Sequence, residues 1–116
     1  MKVLVTGACG YVGSVLCPRL LAEGYAVVGY DTCWFGDGSW SHSNESAKLV
    51  KADIRDIERF HWEALSCDAV IHLACISNDQ SCQLDEKLST AINYTAFEPL
   101  VMAAKQARVR RFIYCP

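Results

Sequence analysis

Apolar residues fall in short runs separated by polar or glycine-rich stretches. Lys2–Thr6 carries Val3, Leu4 and Val5 in succession, which suits a strand buried on both faces. Ala26–Asp31, Lys48–Asp53, Ala69–Leu73 and Arg111–Cys115 read as four further short strands. Between them the period lengthens. Ser14–Glu23 has Val15, Leu16, Leu20 and Leu21 near helical spacing, with Val12 just ahead and Gly24 as a stop. Ile57–Leu65 follows Asp56, a suitable N-cap. Glu86–Gln106 follows Asp85 and repeats Leu88, Ala91, Ile92 and Thr95. Pro18 is tolerated early in its helix with a slight kink. Pro99 is expected to kink the long helix, because it removes the N–H bond to the Thr95 carbonyl. Strands alternating with helices predict an α/β fold: a doubly wound parallel sheet of the Rossmann type over residues 1–116, about five strands in order 3-2-1-4-5.

The turn after the first strand carries the chemistry. Gly7, Gly10 and Gly13 follow Thr6 at a spacing of three. Strand, glycine turn and helix in that order suit a dinucleotide, whose pyrophosphate rests on backbone N–H groups at the positive end of a helix. Gly7 permits the tight turn, Gly10 leaves no Cβ between backbone and phosphate, and Gly13 lets the helix pack close to the sheet. By itself such a triad also fits a strand-to-helix turn with no ligand. The second strand ends in Asp31, about eighteen residues beyond Gly13, where a carboxylate accepts hydrogen bonds from ribose hydroxyls and repels a 2′-phosphate. No Lys or Arg occurs from Asp31 to Ala47. NAD is therefore expected over NADP.

Thr6-Gly7-Ala8-Cys9-Gly10-Tyr11-Val12-Gly13 resembles the short-chain dehydrogenase/reductase superfamily, in its extended branch of NAD-dependent epimerases and dehydratases. The resemblance covers nearly the whole chain but only the front half of that family. It implies NAD contacts at Gly7, Cys9, Gly10, Tyr11, Val12, Gly13 and Asp31. Asp53-Ile54 resembles the family's acid–aliphatic pair beside the adenine. Leu73-Ala74-Cys75 resembles its segment along the phosphoribose parts, with Cys75 in place of an alanine. Asn93 falls where the family has an active-site asparagine. The implied function is the NAD-binding portion of an epimerase or dehydratase that moves a hydride, acting on a nucleotide sugar.

The implied catalytic Ser/Thr and Tyr-x-x-x-Lys lie beyond the fifth strand of the family pattern. Within this chain Tyr11, Tyr25, Tyr30 and Tyr94 are followed four residues on by Val15, Gly29, Trp34 and Glu98. No catalytic residue is therefore assigned, and the chain is expected to be inactive alone. The competing reading is a non-catalytic dinucleotide-binding or interaction module, with an apolar fifth-strand edge that favours association with a second copy.

Composition narrows the classes. The chain has 116 residues, 52% hydrophobic and 21% charged, with a formal charge of −2. That suits one globular domain and offers no basic field for nucleic acid. No apolar run reaches the length of a membrane span. Seven cysteines occur without a C-x-x-C pair, so no metal site is expected, and the thiols are expected to be reduced in a cytoplasmic protein. Thr32–Ser46 reads as a long loop. Its Trp34, Phe35 and Trp40 either cover the adenosine end or pack on the sheet, with packing preferred. His42 reads as a loop residue, His61 and Trp62 as surface or packing residues, and His72 as a core residue. Ser77, Asn78 and Asp79 either line the site or form a turn.

Overall fold

The computed structural model describes residues 1–34, 46–74, 87, 92 and 95–114. Its elements are β1 (Lys2–Thr6), α1 (Tyr11–Ala22), β2 (Ala26–Asp31), β3 (Ala47–Lys51), α2 (Ile57–Ala64), β4 (Ala69–His72), α3 (Phe97–Gln106) and β5 (Arg111–Tyr114). The five strands are parallel and ordered β3-β2-β1-β4-β5, as expected.

β1 is central because it is apolar on both faces: Val3, Leu4, Val5 and Thr6 are all buried. Alternation along the strands divides two cores. Leu4, Val28, Tyr30 and Val70 pack with Phe60 and Ala64 of α2 and Leu100, Ala103 and Ala104 of α3. Val3, Val5, Val27 and Ala69 pack with Cys17, Leu16, Leu20 and Leu21 of α1. Parallel pairing sets Thr6 beside Tyr30 and His72, so the carboxyl ends of the strands share one edge.

Several local expectations change. Pro18 lies inside α1 on its exposed face, where water reaches the carbonyl that loses its donor. Pro99 is the third residue of α3, so it sits in a first turn whose amides have no helical acceptor. It does not interrupt the described helix. Trp34 is 51% exposed, which corrects the expectation that it packs on the sheet; the turn at Asp31–Cys33 carries it outward. Phe35, Trp40 and His42 lie outside the described residues. Asp56 caps α2 as expected, accepting from the Arg59 amide at 3.1 Å. Gly24, at φ +94°, ends α1.

Thr6 joins the edge. Its hydroxyl oxygen accepts the Leu73 amide at 3.0 Å and the Ala74 amide at 3.1 Å. Its own proton is then left for His72 Nδ1, 2.7 Å away. His72 is thus held as a neutral acceptor, and burial pushes its pKa down to about 4. Phe97 and Phe112 flank the ring, with centroids at 5.9 Å.

Gly13 corrects one expected cause. A Cβ there would lie 2.8 Å from Ala8 C and Cα, and nearer still to the Gly7 carbonyl oxygen. The close approach is of α1 to its own turn and not to the sheet.

Three substitutions test these contacts in stability measurements. Gly13→Ala, which meets backbone, should cost about 3 kcal/mol or more in chemical denaturation. Gly24→Ala, with no atom within 4 Å, should cost only the left-handed backbone penalty of about 1–2 kcal/mol. His72 binds its proton more readily unfolded, so its contribution is complete above its ordinary pKa and is lost as pH falls toward about 4. From about pH 7 to about pH 5 that loss is about 2 kcal/mol. His72→Gln should flatten this part of the pH profile; an unchanged slope would show that the folded state accepts the charged ring.

Candidate functional site

The turn between β1 and α1 is built by backbone bonds. The Gly7 amide donates to the Tyr30 carbonyl at 2.8 Å, and the Gly10 amide donates to the Gly7 carbonyl at 3.0 Å. Gly7 adopts φ +73°, and a Cβ there would lie 2.8 Å from the Ala74 nitrogen and 2.9 Å from the Leu73 carbonyl carbon. The turn is therefore pressed onto the segment leaving β4. Gly10 is the extended N-cap of α1, and no side chain caps the helix. A Cβ at Gly10 would meet only the Gly7 carbonyl oxygen, at 3.3 Å, so its outer side is open. The Tyr11, Val12 and Gly13 amides precede any helical acceptor. Tyr11 is 92% exposed, and no acidic residue occupies this first turn. Positive dipole, free backbone donors and absent Cβ atoms are what a pyrophosphate requires.

Asp31 ends β2 beside this turn. One carboxylate oxygen accepts the Cys9 amide at 2.9 Å and the other accepts the Cys33 amide at 2.7 Å. These bonds aim the carboxylate across the turn while leaving a second lone pair on each oxygen. Cys33 has φ +61°, a left-handed conformation uncommon outside glycine. Cys9 and Cys33 Sγ lie 3.5 Å apart.

Asp53 follows β3. Its carboxylate takes the Arg55 amide at 2.9 Å and Arg55 Nε at 3.0 Å. The Arg55 guanidinium holds the Asp53 carboxyl below the usual carboxylate range. Ile54 is only 4% exposed and belongs to the larger core. Tyr30, fully buried, donates its hydroxyl to the Asp53 carbonyl at 3.0 Å, with the Asp56 carbonyl at 3.3 Å, and so fixes this turn to β2. Burial pushes the Tyr30 hydroxyl pKa further up from its already high value.

The structure thus gathers Gly7, Cys9, Gly10, Tyr11, Val12, Gly13, Asp31, Leu73 and Ala74 around one strand-end turn. Asp53 and Ile54 stand next to them across β2. Cys75 and Asn93 lie outside the described residues, as do Ser77, Asn78 and Asp79. Sequence reasoning missed three supports. Thr6 and Tyr30 sit in apolar runs, where a hydroxyl reads as ordinary packing. Cys33 lies 24 residues from Cys9, with no ligand-type spacing to flag the pair.

The model of the NAD dependent epimerase/dehydratase family matches residues 3–116. The UDP-glucose 4-epimerase of Mycolicibacterium smegmatis is 35% identical over 98% of this chain and 38% of its own length. Among solved structures, a UDP-glucose 4-epimerase from Stenotrophomonas maltophila, with bound NAD and formylated UDP-arabinopyranose, superposes with a TM-score of 0.86 at 30% identity. It is matched over 98% of this chain and 36% of that one. A dTDP-glucose 4,6-dehydratase from Streptomyces venezuelae gives a TM-score of 0.85 at 26% identity, over 97% of this chain and 38% of that one. The chain therefore spans a little over a third of the length of these relatives. With its glycine turn, acid-terminated second strand and strand order all in place, the chain belongs to the NAD dependent epimerase/dehydratase family.

Proposed function

We propose that this chain is the NAD-binding portion of an enzyme acting on a nucleotide sugar. The observation that carries the cofactor choice is the Asp31 carboxylate, held beside the glycine turn by the Cys9 and Cys33 amides. In this reading the pyrophosphate rests on the Tyr11 and Val12 amides, with Gly7, Gly10 and Gly13 giving close approach. The adenosine ribose hydroxyls donate to Asp31. Asp53 faces the adenine, backed by the residual surface of Ile54. Leu73 and Ala74 line the phosphoribose side. NAD supplies hydride transfer when bound. The described residues bind and orient it, and none is assigned a catalytic step.

The substrate class is supported by the UDP-glucose 4-epimerase and the dTDP-glucose 4,6-dehydratase that the chain resembles. No helix among the described residues is long and apolar enough to cross a membrane. The charge balance and the thiols of Cys9, Cys17, Cys33 and Cys67, none of them in a disulfide, support a cytoplasmic setting with no nucleic-acid partner.

Calorimetric titration tests the reading. NAD should bind the chain at least about tenfold more tightly than NADP, because a 2′-phosphate would face the Asp31 carboxylate. Asp31→Asn should lower NAD affinity by about tenfold, the worth of one charge-assisted hydrogen bond, and narrow the gap to NADP. Equal or tighter binding of NADP by the unmodified chain would overturn the assignment of Asp31.

A further inference from the structure

The two half-buried thiols beside Asp31 have a property that cofactor binding does not use. Cys9 Sγ and Cys33 Sγ lie 3.5 Å apart. Both sulfurs and an Asp31 carboxylate oxygen lie within 4.8 Å of one another. Cys33 Sγ also lies 3.7 Å from the Asp31 carbonyl oxygen. Neither sulfur is sealed in the core, unlike those of Cys17 and Cys67. Burial pushes the Cys17 thiol up to about 12 and raises that of Cys67 as well, which leaves both poorly reactive.

We propose that Cys9 and Cys33 form a redox pair that closes reversibly to a disulfide over the Asp31 carboxylate and thereby excludes NAD from the adenosine end of the site. The second half of this statement rests on the reading of Asp31 as the ribose acceptor.

A disulfide sets its sulfurs about 2.05 Å apart, so closure draws these two together by about 1.5 Å. The Cys9 and Cys33 amides already share the Asp31 carboxylate. The reaction needs an external small disulfide, such as that of glutathione. One cysteine loses its proton, and its thiolate attacks a glutathione sulfur and releases one glutathione thiolate. The second cysteine, likewise deprotonated, attacks the first cysteine's sulfur in the mixed disulfide and releases the second glutathione thiolate. The two thiolates released take up the two protons. The pair is oxidised by two electrons and glutathione disulfide is reduced to two thiols. Closure pulls residue 33 and the glycine turn together across the carboxylate, where ribose hydroxyls would otherwise enter. By reciprocity, bound NAD should slow closure in the same proportion as closure weakens NAD.

The test uses the full chain, reduced and then incubated with glutathione disulfide and a metal chelator. After alkylation and trypsin digestion, mass spectrometry should find the peptide Val3–Arg19 joined to Leu20–Lys48, with fragment ions placing the bridge at Cys9 and Cys33. The bridge should vanish with dithiothreitol and be absent from Cys9→Ser and Cys33→Ser. The oxidised chain should bind NAD about tenfold more weakly than the reduced chain, whereas Cys33→Ser should bind equally before and after oxidant. Recovery of Cys9 and Cys33 only as separately alkylated or glutathionylated residues would overturn the pair. A bridged chain with unchanged NAD affinity would overturn the gating. Failure of the reduced chain to bind NAD would instead overturn the proposed cofactor-binding function, and the cross-linked peptide would still decide the redox pair.

Discussion

The structure depends on how closely the first turn can lie against the end of the neighbouring strand. Gly7 sits where even a Cβ would lie within 3.0 Å of the backbone of Leu73 and Ala74. The Thr6 hydroxyl meets those two residues from the other side, accepting both of their amides. Together they fix the exits of β1 and β4 as one unit, and the buried neutral His72 closes it. Everything at the site takes its position from that unit. α1 starts immediately after the turn, so its donor end is aimed by Gly7 and Gly10. The Gly7 amide bonds the Tyr30 carbonyl, so β2 delivers Asp31 to the same place. A side chain at Gly7 would therefore shift strands, helix and carboxylate together.

Much of this was legible in the chain. The inner strands β1, β2 and β4 were visible because a parallel, doubly covered strand is a near-continuous apolar run, and the alternating strands and helices implied the order that the sheet adopts. Gly7, Gly10 and Asp31 stood out because a turn and a strand end leave few other reasons for those residues. What stayed hidden was set by contacts between distant residues. Nothing local says that the Cβ forbidden at Gly13 would strike its own turn, or that Pro99 falls in a first turn where its missing N–H is harmless. Glu63 looks like any helix acid, yet it is buried and paired with Lys48 at 3.0 Å and Arg59 at 3.3 Å. The Cys9–Cys33 contact joins residues 24 apart in the chain, and Cys33 is left-handed, which sequence propensity argues against.

Asp31 and Asp53 show why the acid alone does not define the recognition. Both follow a strand at the same sheet edge, and both accept hydrogen bonds from nearby backbone. Asp53 is also gripped by the Arg55 guanidinium, which contacts both of its carboxylate oxygens. That contact neutralises its charge locally and spends most of its acceptor directions. Asp31 is held by two amides, one on each oxygen, which orient a carboxylate without cancelling its formal charge. A diol needs two acceptors at fixed spacing with lone pairs to spare, and a phosphate is repelled by an uncancelled negative charge. Both requirements are met at Asp31 and only weakly at Asp53. In the proposed reading, selectivity between the two dinucleotides rests on the Asp31 carboxylate as it is held by the amides of Cys9 and Cys33, whose sulfurs lie 3.5 Å apart beside it.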